Sequence, residues 1–422
     1  MRFPDLMQPH HPLTTFCIIL SKIMKIIHSL ILTALMVEGN LMAENWSAFR
    51  GSDGTAVSHE THLPVEWGKD DHVVWKVNLP GKGTSSPIIH HGRVFVTTQV
   101  DDKDLHVMAF GLKSGELIWN QKVGSGRLPT HELHNMSTPT PIPDGHHVWA
   151  FFGTGDLVCL TFEEGSEVWR RNLRTEYANY NTNHGMGNSP LLYDGKLYVA
   201  CMHQGPSYLI AMDAISGKTL WKKDRPRGAN WTSPIVMRTK GREIVALQSK
   251  DGLSAIEPSS GEEIWSFDGG ASTIPSSAWS QEGLVLVPSN GLTALKMNAT
   301  GERPEKVWTD NKLKPGTGSP TVVQDKVYVV NGANVLSCAE ITSGKILWRL
   351  RLKGPVSSSP VANSDRLFLF SETGLGQVVG LGKSEGKVIG TVDLEDTILC
   401  TPALASDGLF VRSDNKLWKL CP

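Results

Sequence analysis

One sequence unit recurs eight times along this chain, and few architectures accommodate that many copies of a short unit. One copy reads Ser86-Pro-Ile-Ile-His-His-Gly-Arg-Val-Phe-Val-Thr97, then Leu105-His-Val-Met-Ala-Phe110, then Ser114-Gly-Glu-Leu-Ile-Trp119. Another reads Ser189-Pro-Leu-Leu-Tyr-Asp-Gly-Lys-Leu-Tyr-Val-Ala200, then Tyr208-Leu-Ile-Ala-Met-Asp213, then Ser216-Gly-Lys-Thr-Leu-Trp221. Short apolar runs separated by Gly-bearing turns predict antiparallel hairpins, four strands to a unit. Proline suits the first residue of a strand, where its missing N–H costs least.

The opening dipeptide falls at Ser86-Pro87, Thr138-Pro139, Ser189-Pro190, Ser233-Pro234, Ser319-Pro320, Ser359-Pro360 and Thr401-Pro402, with Ser277-Ala278 filling the gap in the series. The fourth strands close on Trp75, Trp119, Trp169, Trp221, Trp265, Trp308 and Trp348, with Gly390 where the remaining Trp would fall. Trp75 precedes the first opening, whereas the last unit runs out after three strands at Lys416-Leu-Trp-Lys-Leu420. The strand around residues 72–77 therefore completes the last unit, and no raw sheet edge remains. The expected fold is all-β: a single eight-bladed β-propeller of four-stranded antiparallel blades over residues 44–422, closed by its N-terminal strand. A linear solenoid would need capping units, which the sequence lacks. Ala109, Cys159, Ala211, Ala255, Ala294, Cys338 and Gly380 are expected at one repeated, space-limited place in the third strands. The Trp and the Gly turn before it are expected to pack blade on blade.

Residues 1–43 read as a leader. Met24, Lys25 and His28 precede the apolar stretch Ser29 to Val37, and Ala43 offers a small residue before a cut. This is the pattern of a secretory signal peptide over residues 24–43, with Met24 a candidate start and a longer signal anchor as the alternative. The mature chain is accordingly expected to be periplasmic or secreted, monomeric and without a stable membrane span. A net charge of -1 gives no field to draw it to nucleic acid or acidic lipid.

Ala211-Met-Asp-Ala-Ile-Ser-Gly-Lys-Thr-Leu-Trp221 resembles the tryptophan-docking motif of pyrroloquinoline-quinone-type (PQQ-like) propeller repeats, and similar versions end at Trp119 and Trp265. The resemblance spans residues 44–422 and extends to propellers of the outer-membrane assembly lipoprotein type. The opening Trp46-Ser-Ala-Phe-Arg-Gly51 is similar to secreted propellers of planctomycete-like bacteria. The quinone enzymes of this family imply adjacent cysteines over the cofactor and a calcium set of Glu, Asn and Asp. This chain has no Cys-Cys pair, no Cys-x-x-Cys-His haem signal and no calcium set that matches residue by residue.

Two connections between units are long and polar, Gly124 to Met136 and Arg174 to Gly187, and a third, Asp224 to Trp231, is basic and aromatic. Consecutive blades put all three on one face, and loops on a rigid scaffold commonly bind ligands. His131, Glu132, His134 and His184 are residue types that hold a divalent metal, or else hydrogen-bonded loop histidines. Arg127, Arg225 and Arg227 would match an anionic group, or else are solvated charges. Tyr177, Tyr180 and Trp231 would stack on a sugar or peptide, or else pack blade edges. Cys400 and Cys421 offer a terminal disulfide only if their β-carbons come close. No catalytic set is expected. The leading reading is a non-catalytic secreted protein that binds an envelope protein, peptide or glycan. The alternatives are an envelope oxidoreductase using PQQ with calcium or a bound divalent metal, and an outer-membrane assembly scaffold.

Overall fold

The protein is described by a computed structural model covering residues 45–422, apart from 69–70, 239–240, 281, 299, 301 and 406–407. The signal-peptide reading of residues 24–43 lies outside the described residues. Residues Glu44–Pro422 form one compact unit. Its strands make eight four-stranded antiparallel sheets, each in simple up-and-down order. In the last sheet the order is Val73–Asn78, Lys416–Leu420, Gly408–Arg412, Ala403–Ala405, so the N-terminal strand supplies the missing fourth position. Val73 pairs with Leu420 and Asn78 with Lys416. The ring is closed as the offset of the repeats requires.

The docking of blade on blade follows from one device. Between third and fourth strands the register slips by one residue just ahead of the Trp, as between Ala211↔Trp221 and Met212↔Thr219. The same slip occurs at Trp119, Trp169, Trp265, Trp308 and Trp348. A β-bulge re-aims the side chain that follows it, and here it turns each indole toward the next blade. Trp221 lies over Gly261, whose added β-carbon would sit 2.5 Å from the ring, and its Nε1 donates to Pro258 O at 3.1 Å. Trp75, Trp119, Trp169, Trp308 and Trp348 make the equivalent bond to Leu112, Phe162, Ala214, Ile341 and Gly382. The glycine is required twice over: its φ is positive, +71° at Gly261, and the indole fills the space of a side chain.

Three assignments from the repeat shift. The residue facing the closing position in the seventh blade is Val378, which pairs with Gly390, and not Gly380, which pairs with Lys387. The first strands begin at Ile142 and Ala278, so the true equivalents of Ser86 are Thr140 and Ser276 rather than Thr138 and Ser277. Tandem Thr-Pro-Thr-Pro and Ser-Ser runs at those places hide the frame. Cys400 is not disulfide-bonded, so the Cys400–Cys421 disulfide does not form.

Gly390 has its own cause. The last blade borrows its fourth strand, so it has no turn between third and fourth strands on which a seventh-blade indole could dock. The segment Leu63–Trp67 lies there instead: Val65 O would stand 1.8 Å from any β-carbon at 390, and Trp67 packs against Phe370 with ring centroids 6.5 Å apart.

Upstream of that segment, residues 46–57 cross the ring. Trp46 bridges to Ile89 in the innermost strand of the first blade, and Val57 bridges to Ala362 in that of the seventh. Between them Arg50 reaches across to Ser277 O (3.1 Å) and Pro320 O (2.5 Å), in the fifth and sixth blades. The segment is a plug. Arg50 is 2 % exposed, and burial pulls its guanidinium pKa down to about 10 despite Asp53. Ser47 Oγ and His90 Nδ1, 2.7 Å apart, fasten the near end.

Candidate functional site: an axial cup

The first strands of all eight blades start around the axis, and each starts with a hydroxyl. Ser86 N donates to Thr140 Oγ1 at 3.1 Å, Thr140 N to Ser189 Oγ at 3.0 Å, and Ser189 N to Ser233 Oγ at 2.9 Å. The series continues from Ser233 to Ser276 (3.4 Å), Ser276 to Ser319 (2.9 Å), Ser319 to Ser359 (2.9 Å) and Ser359 to Thr401 (3.1 Å). Seven links therefore run round the ring. The remaining junction, between the last and first blades, is bridged differently. Arg412, fully buried, sends Nη1 to Ser85 Oγ (3.0 Å) and Thr97 O (2.6 Å), while Ser86 Oγ has no partner.

Above this crown opens a cavity of ≈ 340 Å³ whose floor is Phe49 of the plug. Its wall is the crown from Thr140 to Thr401, with a second tier two residues upstream in each blade: Thr84, Thr138, Gly187, Trp231, Ile274, Thr317, Ser357 and Leu399. His131, Leu133, His134 and His184 overhang one side. A pocket of this size suits a small ligand or one segment of a larger one. No Asp, Glu, Lys or Arg lines it among the described residues.

The long loops are positioned by buried bonds. Asn230 Nδ2 reaches Gln248 O at 2.7 Å and Asn188 Nδ2 reaches Thr232 O at 2.6 Å, fixing the chain on both sides of Trp231. Gly187 leaves room for the indole, whose Cδ1 would be 3.0 Å from a β-carbon there. Met136, fully buried, takes its N–H to Gln99 Oε1 at 3.1 Å and anchors the loop that carries the histidines. His131 and His184 lie face to face with centroids 6.0 Å apart, and His184 meets Trp231 edge-on at 6.0 Å. His134 contacts Thr130 Oγ1 (3.2 Å) and Thr138 Oγ1 (3.3 Å), and burial lowers its pKa.

Of the residues marked in the sequence, the fold brings His131, His134, His184 and Trp231 to this cup. It places the others elsewhere. Arg127 pairs with Asp102 at 3.0 Å in the open, and Arg227 is exposed. Arg225 spans toward the next blade, bonding Ser254 Oγ at 2.7 Å and lying 3.5 Å from Glu263. Tyr177 Oη meets Arg171 (2.9 Å) and Thr219 (2.8 Å) on the outer side. Tyr180 is core, its hydroxyl 3.3 Å from Cys201 Sγ, and burial pushes its pKa well up. Among the described residues no three His, Cys, Asp or Glu side chains gather to hold a metal. The crown itself went unread in the sequence, although its signal was the Ser or Thr of the same dipeptide whose proline marked the strand. Phe49 also went unread, because it precedes the repeats.

The family described as outer membrane protein assembly factor BamB matches residues 43–184, 135–282 and 297–374, most of the chain. The chain belongs to this family. It is 25% identical over 267 residues to the outer membrane protein assembly factor BamB of Burkholderia pseudomallei (strain K96243), covering 59% of this chain and 61% of that one. It is 22% identical over 238 residues to a polyvinylalcohol dehydrogenase of a Pseudomonas species, covering 46% and 35%. The matches thus span less than two thirds of these relatives. Among solved structures it is similar to BamB from Moraxella catarrhalis, with TM-score 0.64, 15% identity and 83% and 97% of the two chains covered. It is also similar to a europium-containing methanol dehydrogenase, with TM-score 0.68, 11% identity and 90% and 98% covered. Those structural likenesses establish the ring architecture. Pyrroloquinoline quinone, implied by the resemblance to quinone-type propeller repeats, does not fit the residues of this cup. It carries three carboxylates and needs cationic partners, and its calcium needs anionic oxygen ligands. The lining supplies neither. No helix among the described residues is long and apolar enough to cross a membrane.

Proposed function

We propose that this chain is a non-catalytic binding propeller of the cell envelope that seats a protein, peptide or glycan segment in the axial cup of its loop-rich face. The observation behind this reading is the character of that cup: uncharged walls, a ring of hydroxyls and one aromatic side made by His131, His184 and Trp231. Proton transfer or nucleophilic catalysis calls for a base oriented by a third group. The histidines here bond instead to threonines and backbone, as His134 does to Thr130 and His131 Nδ1 to Leu133 N. The fluorescence of Trp231 reports occupancy. Titration with peptides and oligosaccharides should change it, and a His184→Ala/Trp231→Ala double variant should lose capture while keeping its melting temperature within a few degrees. Undiminished capture by that variant would remove the cup from the function.

A second reading, a scaffold in outer-membrane assembly, is favoured by the family match and by relatives bearing that name. Photo-crosslinking from Leu133 and Ile274 in the native envelope distinguishes the two, since a scaffold yields discrete protein adducts there. The oxidoreductase reading is tested by adding pyrroloquinoline quinone and calcium to the mature protein and recording its absorption.

A further inference from the structure

From the unused hydrogen-bonding capacity of the crown we infer that the axial cup takes a neutral saccharide. This rests on the cup being the binding site and adds the chemical class of what fills it. A hydroxyl has one hydrogen to give and two lone pairs. In the crown one lone pair is already taken, because each hydroxyl from Thr140 to Thr401 accepts the backbone N–H of the preceding blade. None of these hydroxyls donates to a protein acceptor among the described residues, and Ser86 Oγ has no partner at all.

The tier above behaves otherwise. Thr84 Oγ1 gives its hydrogen to Thr138 (2.8 Å), Thr138 to Asn135 O (2.8 Å), Thr317 to Ser357 O (3.2 Å) and Ser357 to Glu372 (2.5 Å). The crown keeps its hydroxyl donors free, on residues that are at least nine-tenths buried: Ser276, Ser319 and Ser359 are each 4 % exposed, and in the tier above Trp231 Nε1 is likewise without a partner. A buried donor without an acceptor costs free energy that a matching group recovers.

The matching group is constrained. Each crown oxygen offers one hydrogen and one remaining lone pair, and another hydroxyl is the group that answers both. A bare anion would use the hydrogens but would face the lone pairs, with no Lys or Arg in the wall to balance its charge. A cation finds no carboxylate. Sugars carry hydroxyls around a ring whose C–H faces pack on aromatic surfaces, and Trp231, His184 and Phe49 provide such surfaces.

The test is calorimetric titration of the mature chain with cellotriose, maltotriose, chitotriose and, as the contrasting probe, trialanine. At least one sugar should bind. Its affinity should fall about tenfold or more in Ser276→Ala/Ser319→Ala/Ser359→Ala, the loss expected when several hydrogen bonds go. It should stay within about threefold of the parent value in the Ser→Thr counterpart, which keeps every hydroxyl. Thr140 and Thr401 already hold that residue type in equivalent places. Because the alanine variant also removes acceptors for backbone N–H groups, a diazirine-bearing form of the bound sugar is applied to the unaltered chain, where it should label peptides containing Trp231 or Ile274. Binding of trialanine with no sugar bound would overturn the saccharide and leave the cup reading in place. Binding of no probe would overturn both. Sugar affinity equal in the alanine variant, or label confined to other peptides, would overturn the crown's part.

Discussion

At the scale of single residues the repeated indole does two jobs, one of packing and one of hydrogen bonding. Trp221 fills the space over Gly261, donates to Pro258 O and sits 5.8 Å from the ring of Tyr198. Trp221→Ala should therefore cost about 3–5 kcal/mol, read as a lowered urea midpoint. The partner residue is equally constrained. Gly261→Ala puts a methyl group 2.5 Å from the indole at φ +71°, and should cost about 1–3 kcal/mol. Unchanged midpoints for both would refute the docking arrangement. Which residue faces that Trp could be read from spacing in six blades, because Ala or Cys recurs there. It failed in the seventh, where Gly380 looked equivalent although Val378 holds the place. Val378 faces a glycine and not an indole, so the demand for a small side chain vanishes together with the pattern that advertises it.

Elements outside the repeat carry what the sequence left silent. The plug around Arg50 and the strap Leu63–Trp67 belong to no blade, so no periodicity announces them. Phe49, the floor of the cup, comes from the plug. The loops bearing His131, His184 and Trp231 stood out for their length and polarity. Arg127, Arg225 and Tyr180 stood on the same or neighbouring segments, yet their side chains turn to local partners that spacing along a chain does not reveal. The strap yields a prediction that runs against the repeat. Gly390→Trp restores the majority residue, but Val65 O already occupies the position of its β-carbon. The substitution should destabilise the protein by about 1–3 kcal/mol or more, and a chain lacking residues 45–68 should tolerate it better than the parent. A stabilising Gly390→Trp would show that the strap does not hold that site.

Over the whole molecule, closure and titration act together. Without residues 45–78 the last blade loses its fourth strand and its sheet gains a free edge. That truncated chain should self-associate on size-exclusion chromatography, and a peptide of residues 71–80 should reverse it. The ring also buries histidines. Burial lowers the pKa of His90, helped by neighbouring His91, and burial likewise lowers those of His134 and His203. A lowered folded pKa means that, as acid is added, the unfolded chain takes up its protons first. Stability is then complete above the ordinary histidine value of about 6.5 and is lost as pH falls through the depressed folded values. His90 is the member tied to the plug, through Ser47 Oγ at 2.7 Å, with Asp144 as the nearby charge that partly offsets the loss. Melting temperatures measured between pH 7.5 and 5 should decline on the acid side, and His90→Asn, which keeps an acceptor toward Ser47, should flatten part of that slope. A melting curve independent of pH over that range, or a slope the same in His90→Asn, would mean that the His90–Ser47 contact does not help to hold the plug, leaving Trp46, Arg50 and the Val57–Ala362 bridge to do so.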